Sequence, residues 1–334
     1  MYEQISTGIL RAGQALPTER ALTETYHVSR QTVRNALKRL HEDNLIYSVQ
    51  GSGTFVKNDR DNAPVHRRII VMMTYLSEYI FPSMLQGINQ VAFEKGYAVE
   101  IKVTNNSVST ERDILLQISE NPIDGIIAEG TKAALPNPNT HLYRKLSEKG
   151  IPIIFINSIY PNLNSDRILS VTTADYDGGR LLAEGLIRKG HRSIGCIFKS
   201  DDAQGIQRYF GFISALAASS VNYNDHYFIW YTSETKNTLQ MTLTYSTILT
   251  DCSAIVCYND EVAAIVCSCL RRMTHNIKVI LSFDRNINPD LIPEGVLFYS
   301  LSHPRSALGS IAAEKLINML EGKPETSVIL PWGE

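Results

Sequence analysis

Seven short apolar runs, each followed by a helix-length stretch or turn, constrain this chain more than any other feature. They fall at residues 69–73, 99–103, 123–128, 151–156, 194–198, 254–257 and 279–283. A largely apolar run of four to six residues suits a strand buried in a sheet, and such strands alternating with helices build a parallel α/β sheet. Residues 69–334 exceed the usual size of one sheet domain, so two lobes are expected. Ligands bind such sheets in the crevice beyond the carboxyl ends of the strands. Polar and aromatic residues sit where those ends should be: the stretch 75–82 after the first run, Glu129 and Lys132 after the third, Asn157 after the fourth. Residues 199–202, Asn259 with Asp260, and Asp284 follow later runs. Their convergence predicts a polar, aromatic-edged cleft.

Residues 16–56 follow a different pattern. Pro17 sits at the first turn of a helix-length segment, residues 26–28 make a short turn, and a second helix is predicted over 29–40. In that second helix Val33, Ala36, Leu37 and Leu40 fall on one stripe, while Arg30, Gln31, Arg34 and Lys38 lie on another. Ser29 is placed to cap its first turn. A strand over 45–49, a turn on Gly51 and Gly53, and a return over 54–56 complete a hairpin. This layout is a winged helix-turn-helix. Its basic second helix suits the major groove, where an arginine paired bidentately to guanine gives roughly 1 to 3 kcal/mol of discrimination. A solvated basic face on an ordinary helix is the plainer alternative.

Charge adds a little. Residues 1–60 carry 8 Lys+Arg against 6 Asp+Glu, and the remainder 24 against 28, within a chain of formal net charge −2. The amino-terminal part is mildly basic, as a phosphate-contacting surface requires. The five cysteines, at 196, 252, 257, 267 and 269, form no paired metal-binding spacing and suit reduced thiols. No export signal opens the chain and no apolar run approaches a membrane span, so a cytoplasmic protein without a membrane partner, metal or cofactor is expected. Residues 57–68 are charged and carry Pro64, as an exposed connector does.

The stretches LPTERAL, VSRQTVRNAL and GSGTFV closely resemble the GntR-type winged helix-turn-helix of bacterial transcription regulators, over roughly residues 2–57. That resemblance implies that Arg20, Arg30 and Arg34 contact DNA, that Ser29, Gln31 and Thr32 sit at the groove, and that Gly51 and Gly53 bring the wing close to it. Relatives carry a first helix of about three turns, whereas here residues 2–5 alone precede Ser6-Thr7-Gly8, which reads as a truncated helix. Domains are therefore expected at 1–57 and 69–334, with 58–68 as linker.

Residues 67–330 resemble the LacI/GalR-type effector domain, two Rossmann-like lobes similar to periplasmic sugar-binding proteins. IDGIIAEG, GIPIIFIN, DYDGGRLLAEGLIRKGHRSIGCI and CYNDEVA carry the likeness. The pairing of the two domains is similar to the AraR-type repressors of arabinose utilisation, as are TYLSEYIFPSMLQGI and KSDDAQGIQRYFGF. The resemblance implies a homodimeric repressor that binds operator DNA and is released by a sugar, L-arabinose. It places Arg208 and Asp284 on sugar hydroxyls as an opposed charged pair and Phe81 on the ring. Tyr79, Glu129, Lys132, Asn259, Asp260 and His303 are further candidates. Structural readings stay open for several: a fold-stabilising Arg208–Asp284 pair, Phe81 in the core, Glu129 paired with Lys132, Asp260 as a helix cap, His303 as a structural histidine. The loop between Met273 and Val279 is shorter than in relatives, Ser282 replaces a usual glycine, and Pro331-Trp332-Gly333-Glu334 precedes where relatives place a final strand. These departures bear on the cleft's second lobe. The alternative functions are a sugar sensor whose DNA-binding domain has degenerated, and an enzyme using cleft carboxylates on a glycoside; no nucleophile motif or phosphate loop favours the latter.

Overall fold

The computed structural model describes residues 4, 10, 13–43, 45–49, 53–56, 67–76, 80–163, 165–219, 221 and 223–333. The chain forms two compact units, Met1–Val65 and His66–Glu334.

In the first unit, α1 (Glu19–Tyr26) is capped by Thr18, whose hydroxyl accepts from the Ala21 N–H at 3.3 Å. It ends at His27, whose left-handed φ of 52° turns the chain sharply. Ser29 then caps α2 (Arg30–Glu42) by accepting from the Thr32 N–H at 3.1 Å. Strands β1 (Ile46–Val49) and β2 (Gly53–Val56) pair antiparallel, Ile46 opposite Val56 and Val49 opposite Gly53. A small core of Leu16, Leu40, Ile46 and Val56 joins α2 and the segment ahead of α1 to the hairpin. Val33 and Leu40 are buried and Leu37 half-buried, but Ala36 is exposed, so the apolar stripe of α2 is narrower than its spacing predicts. The short opening helix expected at residues 2–5 and the hairpin turn with Gly51 lie outside the described residues, apart from Gln4.

The second unit contains two all-parallel sheets. The first lobe has the order β13-β7-β6-β5-β3-β4, built from β3 (Arg68–Met73), β4 (Ala98–Val103), β5 (Gly125–Glu129), β6 (Ile153–Asn157), β7 (Ile168–Thr173) and β13 (Val328–Leu330). The second has the order β12-β11-β10-β8-β9, from β8 (Ile194–Lys199), β9 (Phe228–Tyr231), β10 (Ala254–Cys257), β11 (Val279–Asp284) and β12 (Leu297–Ser302). All seven apolar runs are strands. β5, β6, β10 and β11 are buried throughout, which explains why their sequences do not alternate. β7, β9, β12 and β13 escape a search for apolar runs because they carry Ser or Thr or lie at sheet edges and are partly exposed.

In the first lobe, α3 (Phe81–Glu94) and α11 (Arg305–Leu320) cover one face, with α4 (Val108–Glu120) and α5 (Thr140–Glu148) against the other. In the second, α6 (Asp175–Arg188) packs closely on α7 (Ala203–Ala218), and α8 (Leu239–Tyr245), α9 (Ile248–Asp251) and α10 (Asp260–Leu270) complete the lobe. Gly179 permits the α6–α7 approach: a Cβ there would lie 2.0 Å from the Arg208 carbonyl oxygen. The chain passes between lobes three times, from β7 into α6, from β12 into α11, and from β13 to Gly333, which pairs with Ser302. The second lobe thus has a complete five-stranded sheet despite the departures noted in its sequence.

Candidate functional site

The lobes enclose a cavity of about 480 Å³. Its lining comes from loops and helix starts beyond the carboxyl ends of the strands, as an open parallel sheet predicts. The first lobe contributes Thr74, Phe81, Glu129 and Asn157 among others, and the second Lys199, Asp202, Gln204, Arg208, Tyr258, Asn259 and Asp284, with His303 at the second passage between lobes.

Arg208 organises the second lobe's side of the cavity. It lies on α7, is only 2% exposed, and donates through Nε to Asp175 Oδ1 at 2.8 Å and through Nη1 to the Tyr258 carbonyl at 2.5 Å. Its guanidinium also lies over the rings of Phe283, Tyr258 and Trp332, at 4.3, 4.8 and 4.8 Å. Burial opposes its charge, yet Asp175 with Tyr258 and Asp284 holds its pKa above the ordinary value. Asp175 is itself held by Thr173 Oγ1 at 2.8 Å and Gln204 Nε2 at 3.4 Å. The direct ionic partner of Arg208 is therefore Asp175. Asp284 lines the cavity, whereas Asp175 does not; Asp284 is 3% exposed, with a φ of 96° that an L-residue adopts only under strain.

Across the cavity, Glu129 accepts from the Thr74 N–H at 2.8 Å, the Thr74 hydroxyl, and Asn157 Nδ2 at 2.7 Å. Burial nonetheless pushes its pKa up. Asn157 has a left-handed φ of 65°, and its Oδ1 accepts no protein hydrogen bond among the described residues. Phe81, at the first position of α3, belongs both to the lobe's core and to the cavity wall. His303 is 5% exposed, and neither ring nitrogen has a partner among the described residues. Burial, helped by Arg208 and Arg305, pushes its pKa down to about 3, so the ring is neutral at pH 7.

Other expected residues lie elsewhere or act differently. Asp260 does not line the cavity: its carboxylate accepts from the N–H groups of Asn286 and Ile287, at 2.5 and 3.1 Å, and from Ser300 Oγ at 2.8 Å. It fastens the loop after β11; Asn259, which does line the cavity, is the residue that caps α10. Lys132 lines a smaller adjoining pocket and pairs across the lobes with Glu234, not with Glu129; that contact draws the Glu234 pKa down to about 2. Tyr79 lies outside the described residues. Asp175, Gln204 and Trp332 were not singled out by the sequence. Asp175 had a signal, an acidic residue directly after a strand and ahead of Gly178-Gly179, but β7 lacks the apolar run that would have marked it.

On the helix-turn-helix, Arg20, Ser29, Arg30, Gln31, Thr32 and Arg34 are all exposed. Arg20 pairs with Glu24 and Arg34 with Glu19, each at 3.0 Å, and Gln31 donates to Asn35 at 3.2 Å. Gly53 has a φ of 122°, a backbone state that glycine alone adopts cheaply. Among the described residues no group of three or more His, Cys, Asp or Glu is arranged to hold a metal ion, and no helix is long and apolar enough to cross a membrane.

A winged helix-turn-helix in one chain with a two-lobed ligand cleft defines a ligand-responsive transcription regulator. Family models agree: residues 2–56 match the bacterial regulatory proteins of the gntR family and residues 69–324 the periplasmic binding protein domain. An arabinose metabolism transcriptional repressor of Geobacillus stearothermophilus is 34% identical over 325 residues, 95% of this chain and 88% of that protein. One from Halalkalibacterium halodurans is 34% identical over 331 residues, 95% and 86% of the two chains. A LacI-type regulator from Alkaliphilus metalliredigens, solved with D-xylulofuranose, shares the fold with a TM-score of 0.61 at 20% identity, over 80% of this chain and 96% of that one. The chain belongs to this family of sugar-responsive transcriptional repressors, with a gntR-type DNA reader and a periplasmic-binding-protein effector domain. The relatives are regulators, and neither matching family model is that of an enzyme.

Proposed function

We propose that L-arabinose is the effector, that it binds in the cleft between the lobes, and that its binding releases the repressor from operator DNA. The observation that carries this reading is the cavity lining: Arg208 and Asp284 line one small, aromatic-walled space with Glu129, Asn157, Asn259 and His303. Three lining cations, Lys199, Lys236 and Arg208, face four lining carboxylates, Glu129, Asp202, Glu261 and Asp284, a lining of mixed sign that suits a neutral ligand with many hydroxyls. Arg208 and Asp284 hold hydroxyls, Phe81 packs on the ring with Tyr79 nearby in sequence, and Lys132 stands in the adjoining pocket as a cross-lobe contact. The names of the two 34% relatives point to arabinose, and the solved pentulose complex shows that this fold accepts a five-carbon sugar.

Residues 1–57 read the operator, 58–68 connect, and 69–334 bind the effector and form a homodimer. Arg20, Arg30 and Arg34 contact the duplex, Ser29, Gln31 and Thr32 approach the groove, and Gly51 and Gly53 shape the wing. A dimer places two such readers on half-sites related by its twofold axis. Moving the switch from 1:99 to 99:1 takes about 5.5 kcal/mol of differential binding. The protein works in the cytoplasm as a regulator, not an enzyme. The test is binding of the full-length protein to a labelled palindrome from its own upstream region, with L-arabinose and salt titrated separately. Release by L-arabinose at fixed salt is expected, with Arg30→Ala and Arg34→Ala weakening DNA binding and not sugar binding, and Arg208→Ala weakening sugar binding together with effector-unit stability while leaving the DNA-contacting residues untouched. Calorimetric sugar binding with no salt-sensitive DNA binding would leave a sensor alone.

A further inference from the structure

Trp332 packs behind the cavity lining, against Arg208 and His303, and has no role in the sugar-binding reading. It lies on the third passage between the lobes: the Leu330 carbonyl accepts from the Ala174 N–H at 2.9 Å on the first lobe's side, and Gly333 is already paired with Ser302 of the second. Between those anchors the indole meets Phe283 edge-on at 5.0 Å and His303 at 5.1 Å, with the Arg208 guanidinium 4.8 Å from its centroid. Two of these neighbours line the cavity and the third precedes Asp284. The opposing helix is notched to admit the ring: a Cβ on Gly178 would lie 3.1 Å from the indole Cδ1 and 2.9 Å from Phe283. The indole Nε1–H finds no acceptor among the described residues, a cost that simple space-filling by leucine or phenylalanine would avoid.

We infer that Trp332 is a positioning residue for the effector site, fixing Arg208 and His303 in their binding orientations and tying occupancy of the cleft to the third passage between the lobes. The inference rests on the sugar-binding reading. It is tested in the full-length protein by calorimetry with L-arabinose and by fluorescence. Trp230 and Trp332 are the two tryptophans, so Trp230→Phe leaves the indole at 332 as the sole reporter. Its emission should shift with L-arabinose and saturate at the concentration where binding heat does. Trp332→Ala should weaken sugar binding about tenfold, the scale of one desolvated cation–π contact, while operator binding without sugar is kept. Trp332→Phe, which keeps an aromatic face, should restore affinity to within about threefold of wild type. Should Trp332→Ala not fold, Gly178→Ala crowds the same ring from α6 and should weaken sugar binding. Unchanged affinity in Trp332→Ala or, failing that, in Gly178→Ala overturns the inference, as does a silent emission while calorimetry records binding. Absence of binding heat in the wild-type protein with L-arabinose would remove the sugar reading itself, and the inference with it.

Discussion

Arginines do opposite things in the two units. In the helix-turn-helix, Arg34 and Glu19 are 63% and 42% exposed, and Arg20 and Glu24 more so. In the effector unit, Arg208 and Asp175 are 2% and 5% exposed. An exposed pair contributes about 0–1 kcal/mol, so the side chain leaves it readily for a phosphate or base edge. A buried pair cannot let go, because removing one partner strands a charge in a low-dielectric interior. The helix-turn-helix therefore keeps its cations free to exchange one anionic partner for another, whereas the cleft wall holds a cation already oriented and desolvated.

The largest break in that contrast should come from Arg208→Ala. Loss of the guanidinium leaves Asp175 buried without its ionic partner, and about 3–5 kcal/mol of effector-unit stability should go with it. Urea denaturation should show the loss in the effector unit, with the helix-turn-helix transition unmoved. Arg208→Ala as stable as wild type would mean that the pair is not what holds this wall together.

The next effect is one of pH and comes from His303. Its folded-state pKa, about 3, lies below the ordinary value of 6.5. Between those values the unfolded chain binds a proton that the folded chain refuses, so stability is full above pH 6.5 and is lost as pH falls toward 3. The slope contributed is up to about 1.4 kcal/mol per pH unit. Denaturation of the wild-type protein and His303→Gln at pH 7 and 5 should show a shallower fall in the variant. Identical slopes would mean that His303 is protonated in the folded protein.

The same difference in burial governs how much could be read from sequence. Strands buried on both faces announce themselves as apolar runs, and the polar residues that follow them, Glu129, Asn157 and Asp284, line the cavity. Asp260 follows a strand equally well yet turns toward the loop after β11: Asn259 is the extended cap residue that lines the cavity, and Asp260, the first residue of α10, points elsewhere. Asp175 and Trp332 were hidden for another reason. Each belongs to a passage between lobes, and which passages converge on Arg208 is a matter of tertiary topology that no local pattern encodes. In the helix-turn-helix, caps and turn residues are local, so Ser29 and the hairpin strands could be placed directly, while partners such as Glu19 for Arg34, fifteen positions away, could not.

A smaller effect tests how well the DNA reader is held. Ser29 Oγ satisfies the Thr32 N–H and also meets Thr32 Oγ1 at 2.8 Å. Ser29→Ala should lower the stability of the helix-turn-helix by about 1 kcal/mol and leave the effector unit's melting and sugar affinity alone. If the variant melts as wild type does, solvent caps α2 as well as the serine does.

The smallest effect is the most direct test of the exchange argued for the exposed arginines. Glu19 holds Arg34 through Nε at 3.0 and 3.3 Å, and DNA must displace it before Arg34 can make a contact of its own. Removing the competitor in Glu19→Gln should tighten operator binding by no more than about 1 kcal/mol, the ceiling for an exposed pair. The gain should shrink as salt rises, since screening already weakens the pair in the wild-type protein. Arg34→Ala in the Glu19→Gln background should abolish the gain. A double variant that keeps it would assign the effect to the reader's net charge, and Glu19 would then be a general repulsive group and not the partner that Arg34 exchanges for DNA.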